Sequence, residues 1–214
     1  MMRISAGVII VLIMAASIEA DDTAFVVIGN DGGVIENAVV MLTPSSGQEL
    51  SPVNTDPPLM IQENTSFDPF VLVTQVNTAI IFPNRDRFRH HIYSFSKGNR
   101  FELQVYGREE EVSYTPKASG AIAIGCNIHE NMLAFIYVAD SPRYGTTNQA
   151  GAVTFSDLPA GTYTLEVWHP DIVGRKAQDS EISLPLIDQS PVTIDIKLEA
   201  RRSIQTNINS GESD

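Results

Sequence analysis

Cys126 is the only cysteine among the 214 residues of this chain. It opens the segment Cys126-Asn127-Ile128-His129-Glu130-Asn131-Met132, in which a thiol, an imidazole and a thioether follow one another at intervals of three. Soft and borderline donors of this kind suit copper, whereas carboxylates and carbonyls suit harder ions. A second imidazole would complete a set of two imidazoles, one thiolate and one weak thioether, and His90 or His91 can supply it. Adjacent residues of a strand face opposite sides, so only one of the two can enter such a site. His90 shares a face with Ile92 and Ser94, His91 with Tyr93 and Phe95, a pattern that by itself favours neither.

Every donor also has a plainer role. Alone, His129 reads as an ordinary surface or core histidine, Met132 as a core residue and Cys126 as a buried inert thiol; their joint spacing is what points to a metal. Glu130 reads as solvated. His169, in Trp168-His169-Pro170, sits in a later segment and reads as structural. Arg85, Arg87 and Arg89 form either a solvated loop face or a positive docking patch beside the metal. A thiol nucleophile usually draws its base from a distant segment, yet Cys126 and His129 share one loop with no orienting third residue. The chain has no glycine-rich phosphate loop before a helix, no HExxH and no GxSxG elbow. No enzymatic activity is expected.

Turning four side chains toward one point requires two loops at one end of a β-structure, and strand signals dominate the chain. Ala24-Phe25-Val26-Val27-Ile28 precedes a glycine-rich turn, and Ala38-Val39-Val40-Met41-Leu42 stops at Thr43-Pro44. Residues 45–58 are polar and proline-rich and read as a loop. From Phe67 onward Val71, Val73, Ile80 and Phe82 recur on alternate positions, with a turn at Val76-Asn77-Thr78 where Asn77 can take positive φ. Ile92 and Tyr93, then Phe101, Leu103 and Val105, continue the pattern. Residues 112–114 and 121–125 lead to Cys126, and residues 132–138 leave it. Beyond Pro142 come a strand at residues 152–155, a clean alternation over residues 162–168 and a last strand within residues 191–198. Short strands at this density predict an all-β sandwich or barrel.

The ends set the compartment. Met1-Met2-Arg3, a short apolar run and Ala20 predict a signal peptide over residues 1–20, cleaved after Ala20. The mature protein is then expected to be periplasmic or otherwise exported, without stable membrane insertion. Arg3 (+1) and Glu19 (−1) cancel, so the mature chain keeps the net charge of −12, which argues against nucleic acid as a partner. An unpaired cysteine in an oxidising compartment is reactive, intermolecular or engaged, and a metal would engage it. Residues 199–214 lack periodicity and predict a disordered tail.

Two resemblances add to this reading. Cys126-Asn127-Ile128-His129-Glu130-Asn131-Met132 is similar to the C-x2-H-x2-M ligand loop of amicyanin-type cupredoxins. Residues 82–92, containing Asn84, Asp86 and His90, resemble the N-x-D-x-x-x-H-x-V segment that carries their first histidine. The likeness spans about 80 residues, and the whole chain also resembles exported methylamine-utilisation-type proteins. It implies a Greek-key cupredoxin sandwich over residues 60–140 with one type 1 copper ion held by His90, Cys126, His129 and Met132. Asn84 and Asp86 would brace the site through backbone hydrogen bonds. Ile92 stands where valine is usual, and Arg89 where proline commonly precedes the histidine. Separately, Asp31-Gly32-Gly33 to Val40 and Gly151 to Tyr163 resemble a transthyretin-like, carboxypeptidase-regulatory-like β-sandwich. That module would be split into residues 21–59 and 141–198 around the copper-binding segment; one enlarged sandwich is the alternative.

A copper ion with four protein ligands leaves little room for substrate, and closed sites favour electron transfer or storage. The expected function is one-electron transfer, with the imidazole edge of His129 as the port and a redox protein, a c-type cytochrome or a dehydrogenase, as partner. Copper delivery and a β-sandwich interaction module with a structural or vestigial metal site are the alternatives.

Overall fold

The computed structural model describes residues 22–51, 56–186 and 191–199, so the expected signal peptide and all but the first residue of the expected tail lie outside the described residues. The strands are β1 (Thr23–Gly29), β2 (Val39–Pro44), β3 (Ile61–Glu63), β4 (Ser66–Asp68), β5 (Val71–Gln75) and β6 (Ile80–Ile81). They continue with β7 (His90–Ser94), β8 (Phe101–Tyr106), β9 (Ser113–Tyr114), β10 (Gly120–Cys126) and β11 (Leu133–Ala139). Last come β12 (Arg143–Thr146), β13 (Ala152–Phe155), β14 (Gly161–Trp168), β15 (Gln178–Leu184) and β16 (Val192–Ile196). The fold is all-β: its one helical element among the described residues is a single 3₁₀ turn, Val173–Arg175.

Burial explains why these segments are strands. β1 alternates buried and half-buried residues throughout, and β14 does so over most of its length, the signature of a sheet with one face on a core. β1 pairs with β13 and β16, and β2 with β12 and β14. The strands nearest the chain's start are therefore completed by strands near its end. The two sheets, β13-β1-β16 and β12-β2-β14-β15, enclose Phe25, Val27, Val40, Leu42, Tyr163, Leu165 and Val167.

Residues between β2 and β12 build a second core. The five-stranded sheet β5-β11-β10-β7-β8 faces the ribbons β3-β4 and β6-β9. Between them lie Met60, Phe82, Ile92, Tyr106, Ile122, Ile124, Cys126, Met132 and Ile136. The outer side of that sheet packs on β2 and β14 through a third cluster of Val39, Met41, Val71 and Trp168. Trp168 there meets Tyr137 and Phe135 at ring-centroid distances of 4.8 and 6.1 Å.

β8 departs from simple alternation. His90 opposes Tyr106 while Ile92 opposes Leu103, so two steps along β7 span three along β8. Such a bulge re-aims the side chains beyond it. It turns Val105, which alternation places with Phe101 and Leu103, toward solvent at 43% exposure and brings Tyr106 into the core. Asn77 takes the positive φ its turn needs, 66°.

Candidate metal centre

β7 and β10 run antiparallel with Cys126 opposite Ile92 and Gly125 opposite Tyr93. The inward residues of β10 are Ile122, Ile124 and Cys126, and those of β7 are His90, Ile92 and Ser94. This register makes His90 a diagonal neighbour of Cys126 on one face, within reach of a long side chain. Asn127 N–H donates to the His91 carbonyl at 2.9 Å, carrying the pairing one step past β10.

Past Cys126 the chain folds back on itself. Met132 N–H donates to the His129 carbonyl at 3.0 Å, and Cys126 N–H to the Met132 carbonyl at 3.3 Å. The loop so closed turns His129 toward Cys126. Cys126 Sγ lies 3.7 Å from His90 Nδ1 and 3.8 Å from His129 Nδ1. All three donor atoms fall within 4.8 Å of one another. His90, Cys126 and Met132 are 0, 3 and 2% exposed, and His129 is partly buried.

These separations fit one metal ion. With bonds of about 2.3 Å to a thiolate and about 2.0 Å to an imidazole, as zinc makes, an angle of about 120° sets sulfur and nitrogen about 3.7 Å apart. One thiolate with two imidazoles is a borderline-to-soft set. Met132 belongs to the core cluster that contains Cys126.

The two histidines of β7 part company. His91 points to the opposite face, where its Nε2 lies 2.7 Å from Glu102 Oε1, beside Tyr93, Phe95 and Arg100. His90 has both ring nitrogens engaged, Nδ1 toward Cys126 and Nε2 at 2.9 Å from Asp86 Oδ2. Burial pulls the His90 pKa below its ordinary value, outweighing the Asp86 carboxylate, which raises it; His129 adds to the lowering. Burial would raise Asp86, but the Thr65 amide, the His90 ring and the Asn64 amide together hold it below the usual carboxylate range. At neutral pH the pair is a carboxylate and a neutral imidazole. Nε2–H donates to Asp86, and the Nδ1 lone pair is left facing Cys126. A histidine metal ligand ordinarily has such a partner on its other nitrogen, fixing tautomer and orientation.

The bracing loop is knitted internally. Asn84 Nδ2 donates to the Phe88 carbonyl at 2.8 Å, and Asp86 N–H to Asn84 Oδ1 at 2.9 Å. Arg89, standing where proline is usual, ties its stretch down by other means. Its guanidinium donates to the Val105 carbonyl at 2.8 Å and lies 2.9 Å from Glu110 Oε1. Arg85 pairs with Glu63 at 3.7 Å. Phe88, 58% exposed, meets the His129 ring edge-on at 6.1 Å, and Ile128 and Leu133 are exposed nearby in sequence. His169 is buried, and its Nδ1 accepts the Asp171 N–H at 3.1 Å.

Sequence reasoning missed the side-chain role of Asp86, which holds the imidazole itself, and the contribution of Asn64 and Thr65. The available signal was a carboxylate four residues before His90. Nothing comparable marks Asn64-Thr65, since a tight hairpin turn is usually announced by Asn-Gly or Asp-Gly.

No family model and no curated protein matches the chain. Among solved structures it is similar to a purple cupredoxin from Nitrosopumilus maritimus, at 16% identity, with a TM-score of 0.35, over 38% of this chain and 99% of that one. A reduced Cu(I) form of an amicyanin variant is similar at 15% identity, with a TM-score of 0.37, over 46% of this chain and 99% of that one. A copper-containing nitrite reductase from Thermus scotoductus SA-01 is similar at 24% identity and a TM-score of 0.38. That match covers 46% of this chain but only 27% of the reductase. No helix among the described residues is long and apolar enough to cross a membrane.

Proposed function

We propose that the chain is an exported type 1 copper protein that transfers single electrons, with His90, Cys126, His129 and Met132 as the ligands of one copper ion. The observation that carries this reading is the convergence of three donor atoms, His90 Nδ1 and His129 Nδ1 lying 3.7 and 3.8 Å from Cys126 Sγ. Bound there, copper would supply a one-electron couple between Cu(I) and Cu(II).

The protein's own part is to hold the donors still. Cys126 and His90 are carried by paired strands, and the backbone bonds of the 126–132 loop restrain His129 and Met132. Burial of Cys126, His90 and Met132 excludes water from three of the four donors. A weak thioether fits Met132, whose side chain is buried in the same core as Cys126. Rigid donors change little between oxidation states, which is what fast electron exchange needs. His129 alone is partly open, so its imidazole edge, flanked by Phe88, is the proposed port to a redox partner protein, a c-type cytochrome or a dehydrogenase. A delivery protein would need donors that open readily, and the burial here argues against it.

The test is the visible spectrum of the purified protein with one equivalent of Cu(II), set beside that of Cys126→Ser. Intense thiolate-to-copper absorption that vanishes in the variant supports the reading. A colourless complex, or a spectrum indifferent to the substitution, would sink it.

A further inference from the structure

The β3–β4 hairpin carries none of the four donors, yet its tip reaches the centre. Asn64 and Thr65 form its two-residue turn, each with φ of 54°, the left-handed pair that a tight hairpin of this twist requires. A β-branched threonine is a costly occupant of that conformation. Both tip amides are spent on one carboxylate. Asn64 N–H donates to Asp86 Oδ1 at 2.7 Å and Thr65 N–H to Asp86 Oδ2 at 3.0 Å. Oδ2 is also the oxygen that accepts His90 Nε2–H at 2.9 Å. The hairpin's base docks on the same loop: Gln62 N–H donates to the Pro83 carbonyl at 2.9 Å, and Arg85 N–H returns to the Gln62 carbonyl at 2.8 Å.

We propose that the β3–β4 hairpin is a clamp for the metal centre, its tip amides fixing the Asp86 carboxylate and, through it, the His90 ring with Nδ1 turned to Cys126. An aspartate on a free loop rotates about two side-chain bonds. One that receives three donors on its two oxygens cannot rotate without breaking all of them at once. The His90 tautomer and ring plane are therefore set before any ion arrives, and Asp86, Asn64 and Thr65 are positioning residues. The use of the clamp rests on the copper reading, but the clamp itself belongs to the metal-free chain.

That separation decides the experiment, made on the metal-free full-length protein at neutral pH. Imidazole ¹H–¹⁵N NMR reads the His90 tautomer, and amide hydrogen exchange reads Asn64 and Thr65. The wild type should show one His90 tautomer, protonated at Nε2. Its Asn64 and Thr65 amides should exchange slowly although both residues are exposed. Asp86→Ala should lose both signatures together while the amides of β10 and β11 stay protected, and Cu(II) affinity should fall about 10- to 100-fold, as for other partners of ligand histidines. Should that variant fail to fold, Asp86→Asn keeps the volume but sets an amide NH₂ either against the Asn64 N–H or against the Thr65 and His90 donors together, so at least one tip amide should lose protection. Fast exchange at the wild-type tip, or a His90 tautomer indifferent to Asp86, would overturn the clamp. Intact clamp signatures in a protein that binds no copper through Cys126 would instead overturn the copper reading.

Discussion

Tyr106→Phe removes one hydroxyl from the wall of the candidate centre, and its cost follows from what that hydroxyl touches. Tyr106 O–H donates to Gln62 Oε1 at 2.5 Å, with the Phe82 carbonyl 3.0 Å away. Tyr106 is 1% exposed and Gln62 0%. Burial pushes the tyrosine pKa far up, so the group is a neutral donor at every ordinary pH. The substitution leaves the Gln62 amide oxygen without its donor and out of reach of water, a penalty of about 1–3 kcal/mol. The Gln62 Nε2 bonds, at 3.4 and 3.3 Å, are too long to offset the loss. With a urea m-value of about 2 kcal/mol/M, a loss of about 2 kcal/mol lowers the unfolding midpoint by about 1 M. Coupling sharpens the test. Once Gln62→Leu has removed the acceptor, Tyr106→Phe should cost much less, giving an interaction energy of about 1 kcal/mol or more in a double-mutant cycle. Equal midpoints for wild type and Tyr106→Phe, or strict additivity in the cycle, would mean that the bond from the Tyr106 hydroxyl to Gln62 does not stabilise the fold.

The two adjacent histidines should separate in copper titrations. His90→Ala should abolish the thiolate-to-copper band, while His91→Ala, which breaks only a contact with the half-exposed Glu102, should retain it. Glu166 sets a pH dependence. Burial raises its pKa, with Asp140 and the cross-strand neighbour Asp179 adding to the shift. An acid whose folded pKa lies above its unfolded one binds more protons when folded, so stability falls as pH rises from the ordinary carboxylate range through the raised value. Glu166→Gln should therefore raise the Tm at pH 7, with the gain shrinking toward pH 4; an equal gain at both would contradict this.

Much of this arrangement is legible in residue order. β1, β13 and β14 announce themselves because one face of each lies on a core, and alternation records that directly. Cys126, His129 and Met132 are legible because one loop holds all three, so spacing alone brings them near. The choice between His90 and His91 is not legible from alternation, which gives each a plausible face; the likeness of residues 82–92 to a ligand segment points to His90, and β7 paired with β10 buries that side. Val105 misleads for a related reason: a bulge shifts the alternation of β8 partway along, and no residue there advertises it. The Ile61–Asp68 hairpin and β15 are too polar to carry an apolar pattern. Asp86 is half legible, expected as a backbone brace but found on the imidazole itself, because side-chain direction depends on a hairpin tip about 20 residues away in sequence.

X-ray absorption at the copper edge, on the same sample oxidised and then reduced at pH 8, reads whether one thiolate and two imidazoles hold the ion throughout the redox cycle. One short copper–sulfur bond and two imidazole nitrogens are expected in both states, with no exchange of ligands on reduction. A shell dominated by oxygen, an absent short sulfur, or a different ligand set in the two states would contradict this.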